Sequence, residues 1–397
     1  MSDTQEKGLD RSVFSIIAWA IFLGMSWTWC IGMFLPVLLV RDYGIWGFVV
    51  FAVPNVIGAA AMAWVLPDAE ASRAFVEKHG AACRWFSFVT VVFHIYFLAW
   101  IASWLVGPFT VVRPLLRRER PPNGAELECF LGLFAVHLIL LYGLAHRRRD
   151  WIVALSTLAL SVAAATALWQ GNWIPAVPTT PRAGLDVLYL APVCFSGFLL
   201  CPYLDLTFHR ARQHLTPSAG RAAFAMGFGG FFLLMILFSL AYIGLLVNAP
   251  CGLDVTIRFL LGLHLVGQSC LKLALHGSEV LRPLSKLKRI TVLFALGTIA
   301  VLMLVLLRNG GAICSLPAGE TGYRCFMGAY GLLFPAYVWI YGFGRRPRSY
   351  KPLAVVVLLA MPMFWLGFVL GQPVWLIPGL AVVLLSKLAF IPMRQAA

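Results

Sequence analysis

The chain has 397 residues, of which 61% are hydrophobic and only 12% charged, with a mean hydropathy of +0.85. Soluble domains carry about 25% charged residues, so a soluble globular fold of this length would lack the charge to cover its surface. The net charge of +15 sits in short clusters between long apolar runs. That is the layout of membrane-orienting loops that meet anionic lipid, and no nucleic-acid partner is expected.

A membrane helix needs about 20 mostly apolar residues. The first apolar run, residues 12–40, is longer than a signal-peptide core and has no small-residue cleavage site behind it. It is expected to be a retained membrane helix. Further segments are predicted at 44–66, 84–106, 127–145, 151–169, 185–207, 221–247, 254–275, 289–307, 325–343, 352–371 and 373–391. The expected fold class is therefore an all-α polytopic membrane protein of about twelve transmembrane helices. The longest polar stretches, near 67–83 and 107–126, are too short for a soluble domain, so 1–397 reads as one integral-membrane domain.

Lys and Arg concentrate in alternate loops, as at Arg147–Arg149, Arg282–Arg289 and Arg345–Lys351. Their bias predicts both termini in the cytoplasm. The run VVRPLLRRERPP at 111–122 dissents, because this count places its arginines on the outer side.

Two apolar segments are interrupted by small, polar and proline residues. Segment 1 reads GMSWTWCIGMFLP, with Gly24, Ser26, Trp27 and Thr28; segment 6 reads APVCFSGFLLCPYLD, with Cys194, Ser196, Gly197 and Asp205. A broken turn frees backbone carbonyls and amides that can coordinate ions or substrate. The two segments lie five helices apart, which an inverted repeat requires: 12–169 and 185–343 as five-helix repeats, then a hairpin over 352–391. Small residues also serve plain helix packing, and that reading stays open. In segment 2, Pro54 frees a carbonyl and Asn55 either repairs it or contacts substrate.

Ionisable groups inside a membrane are costly and mark function. Asp205 follows the break in segment 6 and is read either as part of a cation or proton path or as an exit residue paired with His209 or Arg210. In segment 8, His264, Gln268 and Lys272 recur every four residues, forming one polar stripe with Ser269 beside it. His94 and His137 are read as hydrogen-bonded packing residues. Nine cysteines show no metal-ligand spacing. Cys30, Cys129, Cys194, Cys201 and Cys270 read as small hydrophobes, and a Cys314–Cys325 bridge remains open. Phosphate-binding loops, nucleophile elbows and zinc-protease motifs are absent, so no catalytic residue, metal or cofactor is expected.

The stretch PYLDLTFHRARQHLTPSAGRAAFAMGFGGFFLLMILFSLAYIGLL resembles the sixth and seventh core helices of sodium/solute symporter-like proteins. These belong to the amino acid–polyamine–organocation superfamily, which has the LeuT-type fold. The resemblance implies alternating access with a site between core helices 1 and 6, and an ion between helices 1 and 8. By position this points to Gly24–Cys30, Cys194–Gly197 and Ser269. Segment 8 departs from the pattern, with one hydroxyl near the expected place and Lys272 one turn away. Lys272 would supply a fixed charge where related transporters hold an ion. The major facilitator alternative lacks its signature loop at 67–83.

The expectation is a secondary transporter of a small solute in a bacterial cytoplasmic membrane, with Na+ or H+ as coupling ion and membrane lipid as surroundings. The alternatives are a non-transporting sensor or scaffold subunit, or a membrane-embedded enzyme acting on a lipid-linked substrate. A transporter predicts a midplane cavity between segments 1, 6 and 8; a scaffold predicts that the broken segments close on one another.

Overall fold

The computed structural model describes residues 13–105, 150–169, 183–248, 255–308, 312–313, 316–344, 347 and 349–390. The segment expected at 127–145, the arginine-rich run at 111–122, Cys129, His137 and Cys314 lie outside the described residues.

Helix α1 (Val13–Trp27) is followed after two residues by α2 (Cys30–Tyr43), and then by α3 (Ile45–Val65) and α4 (Ala69–Leu105). Next come α5 (Asp150–Leu168), α6 (Ala183–Leu200), a 3-10 turn (Cys201–Leu204) and α7 (Leu206–His214). Helix α8 (Pro217–Met226) passes through a π turn (Gly227–Phe232) into α9 (Leu233–Asn248); α10 (Val255–Leu281) and α11 (Lys286–Arg308) follow. A two-residue antiparallel ladder pairs Ala312–Ile313 with Leu316–Pro317. Helix α12 (Ala318–Gly328) continues through a π turn (Ala329–Leu333), α13 (Phe334–Tyr337) and a second π turn (Val338–Gly342). Finally, α14 (Lys351–Phe364) and its π turn (Trp365–Val369) fold back on α15 (Leu376–Phe390).

Among the described residues, eight helices are long and apolar enough to cross a membrane, and α1 with α2 makes a ninth if the bent pair is one span. Large apolar side chains stand exposed along them, among them Phe294, Leu358 and Leu388. In water such faces would drive aggregation; in hydrocarbon they are at no disadvantage. The protein is a helical, polytopic membrane protein. The polar stretch at 67–83 is helical from Ala69 onward: Asp68 accepts from the Ala71 amide at 2.8 Å, and α4 runs on unbroken for 37 residues. Its early polar groups, Ser72 and His79, are buried against other parts of the protein.

The core gathers around the two interruptions. α3 packs on α6, and α10 packs on both α4 and α5. The α3–α6 approach is backbone to backbone: a Cβ on Gly58 would stand 2.3 Å from the Phe198 carbonyl oxygen. α1 presses on the π turn at 227–232 in the same way, with a Cβ on Gly24 meeting Phe231 Cβ at 2.7 Å. Gly24 therefore serves close packing. Cys30, Cys194, Cys201 and Cys270 are buried free thiols, as their apolar settings suggest.

Candidate functional site

The first apolar run does break where its small and polar residues cluster. α1 and α2 meet at 54°, with Trp29 extended at φ −87°, ψ 178°. The polar groups freed there are met by the protein's own side chains. Gly24 O accepts from Thr28 Oγ1 at 2.8 Å, Ser26 O from Trp29 Nε1 at 2.7 Å, and Cys30 O from Tyr323 Oη at 2.9 Å. Met25 O accepts from Lys272 Nζ. The Cys30 amide, first of α2, donates to His94 Nε2 at 3.3 Å, while His94 Nδ1 lies 2.7 Å from Thr90 O. An imidazole carrying its proton on Nδ1 satisfies both contacts, so His94 caps the second half-helix from across the bundle. Its spacing in an apolar run shows only that it is buried; its partner emerges from the tertiary fold.

The break expected at Cys194–Gly197 does not occur: α6 runs unbroken through Pro192, Ser196 and Gly197, because the kink a proline imposes is tolerated inside it, and the 3-10 turn follows only at the end of the span. Asp205 caps α7: its Oδ1 accepts from Thr207 N at 2.8 Å and Thr207 Oγ1 at 2.7 Å. The exit pairing with His209 or Arg210 does not form. His209 instead lies 2.9 Å from both Ser72 Oγ and Tyr203 O. Arg210 binds Asp150 at 2.5 Å and also Glu279. Asp205 Oδ2 faces His276 Nε2 at 3.9 Å, both side chains fully buried.

The stripe on α10 is buried along its length and is longer than the sequence reading made it, because His276 continues the four-residue spacing. Ser161 Oγ lies 3.0 Å from His264 Nδ1 and accepts from Gln268 Nε2 at 3.0 Å. Ser269 Oγ donates to Leu265 O of its own helix at 2.7 Å, which ties its hydroxyl locally. Ser26 likewise donates to Leu23 O at 3.0 Å. Asn55 Oδ1 accepts from Trp27 Nε1 at 2.6 Å, joining α3 to the break.

Two chambers lie beside the break, and no residue of α10 lines either, so the cavity expected between segments 1, 6 and 8 is not formed there. The wider has about 60 Å³ open to water centres and lies between α2, α6 and α12. Cys194 and Gly197 line it, and Asp42 and Arg324 contribute its charge. The inner chamber has about 20 Å³ and is lined by Trp27, Trp29, Gly32, Asn55 and Cys201. Ile31, Phe198 and Tyr330 border both. One water needs about 10–15 Å³ on this measure, so the inner chamber has space for about one. Ser196, Thr28 and Ser269 line neither chamber. The buried Ser196 Oγ has no hydrogen-bond partner.

A four-residue ion network, which the sequence reading did not single out, adjoins the wider chamber through Asp42 and Arg324. Arg41 grips Glu320 with both terminal nitrogens, at 2.9 and 2.7 Å, and Arg324 reaches Glu320 at 2.8 Å and Asp42 at 2.5 Å. Its one sequence signal was the Glu320–Arg324 spacing of four. The chain matches no protein-family model, and a comparison with curated proteins finds no match.

Proposed function

We propose that the chain is a secondary transporter that moves a small, mostly apolar solute by alternating access between the broken α1–α2 pair and the interrupted α6–α7 pair. The observation that carries this reading is the pair of chambers beside the break, which share Ile31, Phe198 and Tyr330 as lining. The inner chamber offers aromatic faces with Asn55 and Cys201, a lining suited to an apolar body with one hydrogen-bonding group. At its present size it would have to widen to hold such a solute, which is the expected behaviour of a site between moving half-helices. The Lys/Arg bias supports an outward mouth at the Arg41–Glu320 network and an inward one at Arg210. Lys272 Nζ occupies the carbonyl that a coupling cation would use between helices 1 and 8, which favours a mechanism without sodium there. The likeness to LeuT-type helices 6 and 7 supports the same order of helices.

A specific observation favours a second reading, a non-transporting sensor: the break's carbonyls are satisfied by protein side chains. The two readings are separated by a thermal-shift screen of purified protein against small apolar metabolites, in sodium and in potassium, followed by uptake into vesicles. The transporter reading expects a stabilising solute whose effect falls at least about tenfold in apparent affinity in Trp27→Phe, with no sodium requirement. A solute that stabilises the protein without entering vesicles supports the sensor. No stabilising solute and no uptake would remove the support for transport.

A further inference from the structure

We infer that Asp205 and His276 form a buried binding site for one proton, and that this proton is the coupling ion; the second clause rests on the transport reading above. The geometry is specific. Each residue has one polar atom committed and one free. Asp205 Oδ1 holds the first turn of α7 through Thr207, and His276 Nδ1 lies 3.2 Å from Ser87 Oγ on α4. The remaining atoms, Asp205 Oδ2 and His276 Nε2, are buried without partners and face each other at 3.9 Å. Hydrogen bonds at such atoms span about 2.7–3.2 Å, so the gap suits two acceptors with no proton between them.

One added proton satisfies both atoms. It resides on Oδ2 as a carboxylic acid that donates to Nε2, or on Nε2 as an imidazolium that donates to the carboxylate. The net charge of the pair rises by one in either case. The contact then closes by roughly 1 Å to reach hydrogen-bond distance. Asp205 is the residue between the 3-10 turn and α7, so closure draws the start of α7 toward α10.

The surroundings supply a field. Lys272 stands one turn before His276 on α10, and Arg210 follows Asp205 on α7. Cys83 and His94 face the pair from α4, and Tyr330 from the π turn after α12. Trp29 closes the site with its ring edge-on to His276 at 5.5 Å. Glu279, three residues after His276, joins Arg210 and Asp150 in a cluster whose side chains are 14–16% exposed.

The test is a proton-binding titration of the full-length protein in lipid discs without solute, between about pH 4 and 9, for the wild type, Asp205→Asn, His276→Gln and the double variant. Asn keeps the oxygen that caps α7. The expected result is loss of the same single proton-binding step in each single variant, with no further loss in the double. Persistence of that step in either single variant, or loss of two separate steps in the double, overturns the pair. Should His276→Gln fold poorly, Ser87→Ala touches only Nδ1 and must move the midpoint of that step; an unmoved midpoint overturns the proposal. Vesicle uptake is read separately. Uptake driven by a pH gradient that persists in Asp205→Asn overturns the coupling clause. Absence of uptake with the titration as expected removes the transport reading and leaves the proton site standing.

Discussion

The Lys272 contact offers the sharpest test of how the break is held. Replacing Lys272 by Met keeps the apolar stem and removes the Nζ donor to Met25 O. Two effects oppose each other. Removing a buried ammonium recovers a desolvation cost of several kcal/mol. Against this, Met25 O keeps only a long contact from the Thr28 amide, at 3.3 Å, and the buried Asp205 carboxylate loses a neighbouring positive charge. A lost hydrogen bond from a charged donor costs about 1.5–3 kcal/mol, and an uncompensated buried charge about 3–5 kcal/mol. The losses exceed the recovery, so Lys272→Met is expected to destabilise the protein by about 2 kcal/mol. The diagnostic quantity is the coupling. Lys272→Met combined with Asp205→Asn removes both charges, and the double variant should be more stable than the sum of the singles by about 1 kcal/mol or more. Reversible unfolding in mixed micelles reads all four corners of the cycle. A single variant as stable as the wild type, with additive doubles, would refute the argument that Lys272 compensates both the carbonyl and the carboxylate.

Other expectations follow from the packing and the helix ends. Burial holds the His209 imidazole down at about 4, against its ordinary 6.5, so the unfolded chain binds a proton between those values and the folded protein does not. Stability is therefore full above about pH 6.5 and falls by up to roughly 3 kcal/mol as pH drops toward 4; pH-dependent melting of His209→Gln should lack that part of the slope. Gly58→Ala drives a methyl into the Phe198 backbone and should cost about 1–3 kcal/mol, whereas Gly184→Ala, which meets nothing within 4 Å, should melt as the wild type or slightly above it. Arg212 closes the end of α3 by donating to Leu66 O at 2.9 Å and to Pro67 O, and reaches back to Leu215 O at 3.1 Å. Arg212→Lys cannot span three carbonyls with one nitrogen, so thermal melting should show it little better than Arg212→Ala.

Much of this architecture is legible in the order of residues. The apolar runs mark eight spans among the described residues, or nine with the bent α1–α2 pair, rather than all twelve expected, and GMSWTWC marks a real break, because consecutive small and hydroxyl residues offer the backbone alternatives to helical hydrogen bonds. The four-residue spacing on α10 correctly indicates a face that must avoid lipid. What the order does not reveal is pairing. Nothing near His94 indicates that it caps Cys30 from 64 residues away, and nothing near Asp205 points to His276 rather than to the adjacent His209. The helix through 69–83 also escaped, since a hydropathy window registers its polar side chains and misses the tertiary partners that bury them. Ser26 and Ser269 show the opposite failure: both hydroxyls sit where a ligand was expected, and both bond to their own helices.

The unbroken length of α4 has a mechanical consequence. At 37 residues it extends about 55 Å, well beyond the roughly 30 Å of hydrocarbon it would have to cross. Along this one rod, Ser72 meets His209 on α7, Ser87 meets His276, Thr90 meets Tyr330 between the chambers, and His94 holds the start of α2. One continuous helix therefore ties α7, the buried pair, the chamber lining and the start of α2 together, so a substitution that shifts α4 at any one of these contacts is felt at the others.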